Sequence, residues 1–549
     1  MSQQTDIASR ETANATRGVM DAIATADYRR AFELAEVALT QGLIHPAFFN
    51  ARAIWLERQN RDAEALADFE RSLSLAPKNA VVLNAIGLCL TRLQRLDEAV
   101  SVFDEAIRLS PTYTASYHRK AIALGMAGDV AGARRANEQA IRLNPRDAEA
   151  LGSLASLAAR RGDLKRATDL AERALKVAPG QATAVAAQAL IANAQGRFGD
   201  AEHLVRRLLE RTDLVGHGRV STLGILADSL DGQGRVTDAF AAYSDENEEL
   251  RRLNAPRFAG MRSITDLTRD LVGYFQTASP EAWKTADDAS RPVPGRPRQH
   301  VFLLGFYRSG TTLLRQVLAA HPEIVALEER DFLLGPAAAY LSDAAGLARL
   351  IALSDDELAA ERDTYWQKIK DAGFDLDGKV FVDKQPMNTI KLPLIARLFP
   401  HARIVLAVRD PRDVVFSCFR RHFEVNAAMF DLLSLEGAAA FYDAVMQFSE
   451  LMQPLFPRPF YTHRYEDMVV DFDRSIMALC NSLKVSFAPE MRNFETTASA
   501  HDIRSPSASQ VTRELYREGM GQWRRYHAQL APALPLLLPW VEKFGYPTD

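Results

Sequence analysis

The chain has 549 residues, 47% apolar and 25% charged, with 25 prolines and 29 glycines; at roughly 150 residues per domain it holds two to four domains, and a collagenous, disordered or low-complexity polymer is excluded. Lys plus Arg number 66 against 70 Asp plus Glu, a net charge of −4, which offers duplex nucleic acid no attracting field and leaves only local basic clusters as anion sites. Cys89, Cys418 and Cys480 lie far apart without C-x-x-C spacing, so neither a disulfide framework nor a zinc site is expected, and a reducing compartment fits.

Residues 1–18 are polar and lack the hydrophobic stretch of a secretory signal. The most apolar run, Leu530 to Val541, is interrupted by Pro532, Pro535 and Pro539 and falls short of the ~20 residues that cross a bilayer. The expectation is a cytoplasmic protein without a membrane span.

A period then governs the N-terminal part. Pro77, Pro111, Pro145 and Pro179 are spaced by 34 residues. Twelve positions before each, and before Asp213 where the next boundary falls, stand Ala65, Ala99, Ala133, Ala167 and Ala201; seventeen before stand Asn60, Gln94, Gly128, Gly162 and Gly196. The pattern predicts helix, left-handed turn, helix and terminating proline, with alanine where paired helices press closest; Gln94 fits the turn least well. The phase resembles the tetratricopeptide repeat. Six clear or partial units are expected, with a seventh at the N-terminal end, a degenerate first unit around Tyr28–Pro46 and a last one around Ser221–Leu250 that keeps Gly234 and Ala239 in phase. Such arrays bind peptides or proteins in a groove or prop up a neighbouring domain, and the sequence leaves both open.

The array is expected over 1–253, followed by a helical linker and a Pro/Arg-rich junction, 254–299, that contains SRPVPGRPRQ. From 300 to 549 the pattern changes. VFLLG (301–305) and RIVLAV (403–408) read as strands buried on both faces, with helical patterns behind them at 311–320 and 412–423, as in a parallel α/β domain. Gly305 to Thr312 has the frame of a phosphate loop between strand and helix, but Thr311 stands where an NTP-binding loop carries lysine, and Arg308 places a cation elsewhere.

RSGTTLLRQVLAAHPEIVALEE (308–329), after VFLLGFY, and RIVLAVRDPRDVVFSCFRRHF (403–423) together resemble the donor-binding motifs of sulfotransferases, closest to tyrosylprotein sulfotransferases and to bacterial tetratricopeptide-repeat sulfotransferases. The resemblance covers about 300–530. It implies a P-loop-like α/β sulfotransferase domain behind an α-solenoid, with 3′-phosphoadenosine 5′-phosphosulfate as co-substrate and no metal. Arg308, Ser309, Gly310, Thr311 and Thr312 are implied at the 5′-phosphosulfate and Arg409 and Ser417 at the 3′-phosphate, and Arg421, one helical turn after Ser417 on the same face, is expected to join them. Lys384, in VFVDKQP, is implied at the bridging oxygen or sulfuryl group and Glu329 as the base. Tyr465 and Ser507 are implied as further donor contacts. Gln522 stands where the resemblance leads one to expect a basic residue, so no donor contact is assigned there.

Protein tyrosine is the expected acceptor, with a carbohydrate, lipid or small phenol as the alternative, and an acceptor peptide docked on the array is the expected partner. The animal tyrosylprotein enzymes are membrane-anchored and disulfide-bonded, features that this sequence does not suggest. A repeat-based interaction protein with a degenerate nucleotide-binding domain is the alternative of another class. A nucleotide kinase is disfavoured by Thr311.

Overall fold

The computed structural model describes residues 2–283, 296–328, 330–421, 425–494 and 519–548. They form two compact units, Met1–Gly218 and Arg219–Asp549.

The first unit is twelve helices: α1 (Ser2–Ala24), α2 (Tyr28–Thr40), α3 (Pro46–Arg58), α4 (Asp62–Leu75), α5 (Ala80–Arg92), α6 (Leu96–Leu109), α7 (Thr114–Met126), α8 (Val130–Leu143), α9 (Ala148–Arg160), α10 (Leu164–Val177), α11 (Ala182–Ala194) and α12 (Phe198–Leu209). The in-phase alanines Ala65, Ala99, Ala133, Ala167 and Ala201 are all buried, because only a small side chain lets successive helices approach this closely. Gly87 of α5 shows the same limit: a Cβ there would lie 2.6 Å from the Phe103 ring on α6. Between hairpins Asn79 caps α5, its side chain accepting from the amides of Val81 and Val82 at 3.1 and 3.2 Å. Arg52 on α3 binds Asp68 of α4 through two 2.6 Å bonds and Glu36 of α2 at 3.0 Å, tying three consecutive helices together.

Every in-phase turn residue is left-handed: Asn60 (φ 58°), Gln94 (60°), Gly128 (80°), Gly162 (81°) and Gly196 (73°). The period therefore imposes this conformation even on Gln94, whose Cβ makes it cost about 1–2 kcal/mol. Nothing lies within 4 Å of a Cβ built on Gly162, so substitution there tests the backbone alone. Gln94→Gly should raise unfolding free energy by about 0.5–1 kcal/mol and Gly162→Ala lower it by a similar amount; urea denaturation checks both, and a stabilising Gly162→Ala would contradict the assignment.

The second unit opens with a helical hairpin, α13 (Gly216–Gly232) and α14 (Val236–Phe258), followed by α15 (Ile264–Thr277). This is the hairpin in which Gly234 (φ 76°) and buried Ala239 keep the repeat phase. Its packing lies with the α/β layers: Phe240 stacks on Phe419 with ring centroids 5.1 Å apart, and Arg251 donates to the Leu433 carbonyl at 3.1 Å.

Five parallel strands follow: β1 (Gln299–Gly305), β2 (Ile324–Ala326), β3 (Val380–Lys384), β4 (Arg403–Val408) and β5 (Tyr461–Arg464), in the order β2-β3-β1-β4-β5. The α-helices of the described residues here are α16 (Thr311–Ala319), α17 (Leu334–Tyr340), α18 (Ala344–Ala352), α19 (Asp355–Asp371), α20 (Leu392–Leu398), α21 (Pro411–Arg420), α22 (Ala427–Asp431), α23 (Leu435–Met452), α24 (Tyr465–Val470), α25 (Phe472–Leu483), α26 (His527–Leu530) and α27 (Leu534–Lys543). Alternate strand residues feed two cores. Phe302, Leu304, Phe381, Ile404 and Leu406 pack on one face, and Val301, Leu303, Val380, Val382 and Val405 on the other, which explains why these strands read as unbroken apolar runs. The strand order reverses at β1, with β3 on one side and β4 on the other. In open α/β sheets that crevice, at the carboxyl ends of the strands, is where ligands bind.

Candidate active site

β1 ends at Gly305, where a Cβ would lie 2.7 Å from the Ala407 carbonyl oxygen of β4, so only glycine allows the chain to leave the sheet this close to its neighbour. The loop that follows contains left-handed Arg308 (φ 66°) and Gly310 (φ 87°) and turns directly into α16. No side chain caps α16. Its first amides, together with the buried hydroxyl-bearing residues Thr311 and Thr312 and the preceding Ser309, form a helix N-terminus suited to an anion.

The folded chain brings the two distant motifs into contact. Arg308 donates from Nε to the Ser417 hydroxyl at 3.0 Å across 109 residues of sequence. Arg409, immediately after β4, donates from Nη1 to the Arg308 carbonyl at 3.3 Å and from Nη2 to the Gly519 carbonyl. Its guanidinium lies 5.1 Å from the centre of the Tyr465 ring. That ring packs against the loop so closely that a Cβ on Gly310 would lie 2.6 Å from Tyr465 Cδ2. Burial pushes the Tyr465 phenol up, with Arg409 pulling the other way. Lys384 ends β3 and is buried in register with Leu303 of β1, so it stands on the other side of the β1 loop from Arg409.

The sulfotransferase family model matches residues 300–489, and tetratricopeptide-repeat models match 15–127, as the N-terminal repeat region of psidin, and 118–182. The chain carries a sulfotransferase-family domain behind tetratricopeptide repeats. An uncharacterized protein of Aquifex aeolicus is 26% identical over 264 residues, covering 46% of this chain and 34% of that protein. Protein-tyrosine sulfotransferase 2 of Gallus gallus is 25% identical over 265 residues, covering 45% of this chain and 69% of that one. The match to the Aquifex protein thus spans about a third of that protein's length. A solved tetratricopeptide repeat protein of Parabacteroides merdae is 14% identical with a TM-score of 0.36, covering 44% of this chain and 93% of its own.

Within the sulfotransferase domain, two sequence expectations need correction. The helical pattern at 412–423 ends early: α21 stops at Arg420, and Arg421 is its C-cap in extended conformation (φ −124°, ψ 115°). Arg421 is therefore not a residue of the helix itself, and its Nη1 donates to Asp228 on α13 at 3.1 Å. Glu329 and Ser507 lie outside the described residues. Glu328, the neighbour of Glu329, lies 3.4 Å from Arg315 of α16, and burial of Arg315 lowers its pKa against that attraction.

Other residues that hold the site together carry no motif signal. The Thr389 hydroxyl donates to the carbonyls of Gly305 at 3.1 Å and Pro386 at 2.8 Å and accepts from the Gly305 amide at 3.3 Å. It thus pins the start of the phosphate loop to the turn after Lys384. Asp410 caps α21 and binds Arg412 at 2.9 and 2.8 Å, while Arg412 stacks 3.6 Å from the centre of the Trp523 ring. Asp413 accepts from the amides of Gly521 at 2.6 Å and Trp523 at 2.9 Å, which fastens the C-terminal segment against the start of α21. No helix of the described residues is long and apolar enough to cross a membrane, and all three cysteines are buried free thiols.

Behind Lys384 lies a buried polar chain. Tyr365 donates to Asp383 Oδ2 at 2.6 Å, and His300 Nε2 stands 3.1 Å from the Tyr365 hydroxyl. Asp383 Oδ1 has no hydrogen-bond partner among the described residues. Burial pushes the Asp383 carboxyl up to about 7, against the lowering effect of the Tyr365 hydrogen bond, and burial lowers His300 to about 3. The folded chain therefore keeps on Asp383 a proton that an unfolded aspartate loses near its ordinary value of 3.8, so this group's contribution to stability declines as pH rises from about 4 to about 7. Asp383→Asn should flatten that decline, as measured by urea unfolding at pH 5 and pH 8; an unchanged difference would show that Asp383 titrates normally.

Proposed function

We propose that this protein is a sulfotransferase that moves a sulfuryl group from 3′-phosphoadenosine 5′-phosphosulfate to an acceptor hydroxyl, with protein tyrosine as the acceptor. The carrying observation is the contact of Arg308 with Ser417 beside Arg409. It puts an uncapped helix N-terminus and two guanidinium groups at the switch point of the sheet, which suits a ligand with separate phosphate groups. The amides and hydroxyls of Ser309, Gly310, Thr311 and Thr312 receive the 5′-phosphosulfate in this reading, and Arg409 and Ser417 receive the 3′-phosphate. Thr311 in place of a loop lysine disfavours a triphosphate. The protein-tyrosine sulfotransferase name of several relatives supports the acceptor.

In the reaction the acceptor oxygen bonds to sulfur as the bond from sulfur to the 5′-phosphate oxygen breaks. The electron pair of that bond stays on the phosphate, and the acceptor proton passes to a carboxylate, the role assigned to Glu329. Charge builds on the departing oxygen. Lys384 and Arg308 are the cations assigned to stabilise it, electrostatic work that depends on groups already held in place. The site needs no metal in this reading. We place the protein in the cytoplasm, where three unpaired thiols are stable, and assign the repeat array to binding the acceptor protein.

Calorimetric titration with 3′-phosphoadenosine 5′-phosphate, with ATP plus Mg²⁺ as competitor, should show binding to the wild type that Arg409→Ala weakens about ten- to a hundredfold, as expected for losing a charged hydrogen-bonding group. Preference for ATP overturns the assignment. Lys384→Met should retain binding of this nucleotide while kcat for sulfation of a tyrosine peptide falls about 10²–10³-fold; an unchanged kcat would remove Lys384 from the chemistry.

A further inference from the structure

Helix α21 bears Ser417 and runs out into two adjacent arginines, Arg420 and Arg421. Both are met by carboxylates one helical turn apart on α13. Asp231 Oδ2 lies 3.4 Å from Arg420 Nη1, and Asp228 Oδ2 accepts from Arg421 Nη1 at 3.1 Å. The carboxylates are themselves held. Asp228 accepts from the Tyr243 hydroxyl of α14 at 2.7 Å, and Asp231 accepts from Tyr526 at 2.6 Å and pairs with Arg525 at 2.8 Å. Tyr526 and Arg525 belong to the segment that begins at Gly519 and Gly521, where Arg409 and Asp413 are bound. Gln522 of that segment accepts from Arg420. The position where a basic residue was expected thus has a guanidinium beside it, supplied from α21.

The hairpin also caps the helix end. Asn247 of α14 donates to the Phe419 carbonyl at 2.8 Å, satisfying a last-turn group with no helical partner, and Phe240 stacks on the Phe419 ring. Asp228, Asp231, Tyr243 and Asn247 all precede residues 300–489, the stretch that matches the sulfotransferase family. Burial works to raise the Asp228 carboxyl, but Arg421, with the Tyr243 hydroxyl and Arg420, holds it below the usual carboxylate range, consistent with an ionised partner.

We propose that Asp228 and Asp231 are positioning residues of the donor site, which orient Arg421 and Arg420 beside the 3′-phosphate and make the hairpin α13–α14 a working part of the sulfotransferase domain. This rests on the donor reading above. Arg420 and Arg421 are adjacent cations, and like charges repel when no anion lies between them. A carboxylate behind each of them offsets that repulsion, and among the described residues Arg421 gives Asp228 one hydrogen bond, through Nη1, so the five-donor guanidinium keeps N–H groups for a ligand. Holding long side chains in place before binding removes an ordering cost from the association.

The test compares 3′-phosphoadenosine 5′-phosphate with adenosine 5′-phosphate on the full chain by calorimetry, so that the ratio of the two Kd values reads the 3′-phosphate alone. Asp231→Asn and Asp228→Asn should each reduce that ratio about five- to tenfold and leave the Kd of adenosine 5′-phosphate unchanged, which also reports that the variants are folded. Asp228→Asn should have no further effect once Arg421→Gln is present, and Asp228→Glu should restore most of the ratio. If the wild type prefers the 3′-phosphate nucleotide and both variants keep its ratio, the inference is overturned while the donor reading stands. If the wild type binds the two nucleotides alike, the donor reading falls and takes the inference with it.

Discussion

The second unit gathers like charges at one end of a parallel sheet. Arg308 and Arg409 are joined through the Arg308 carbonyl and Ser417, Lys384 is buried at the end of the neighbouring strand, and Arg420 and Arg421 close the same helix that carries Ser417. Cations assembled before any anion arrives must be compensated locally or the assembly opens. Much of the surrounding structure meets that need. Asp410 neutralises Arg412, Asp413 lies 3.9 Å from Arg409 while binding two backbone amides, and Asp228 and Asp231 face the final arginines. The result is that Arg409, Arg412, Arg420 and Arg421 each have a carboxylate standing behind them.

That compensation explains why the RDPRD stretch does more than supply Arg409. Asp410 caps α21 and grips Arg412, Arg412 lies over Trp523 and donates to the Pro547 carbonyl at 2.6 Å, and the Asp410 amide donates to Glu466 at 3.0 Å. Glu466 in turn accepts from Tyr546 at 2.6 Å. One short motif thus anchors α24, the start of α21 and the segment around Tyr546 and Pro547, which keeps Arg409 and Ser417 on a rigid element, as a site that depends on positioning requires.

The repeat unit illustrates how much a period discloses. Its alanines and left-handed turns were legible because each is a local requirement repeated in phase, and even Gln94 obeys it. The phosphate loop was legible for a similar reason: glycine at 305 and 310 answers to a close neighbour and a positive φ within a few residues of chain. Thr389, Asp413, Asp228 and Asp231 were not legible. Each has a partner between fifteen and almost three hundred residues away, and a lone threonine or aspartate carries no spacing that announces such a contact. The end of α21 was expected too late because helical periodicity runs on past the point where the backbone turns out.

The sequence alone determined the two architectures, the buried strands 301–305 and 403–408, and the glycine-bearing loop that leads from the first of them into a helix, since these follow from periodicity, burial pattern and the steric demands of glycine. Only the tertiary structure decided where α21 ends, which carboxylate stands behind which arginine, and that the last repeat-like hairpin packs with the α/β layers. Those features depend on long-range pairing of single charged side chains, and which acid meets which base is settled by the fold that brings their helices together.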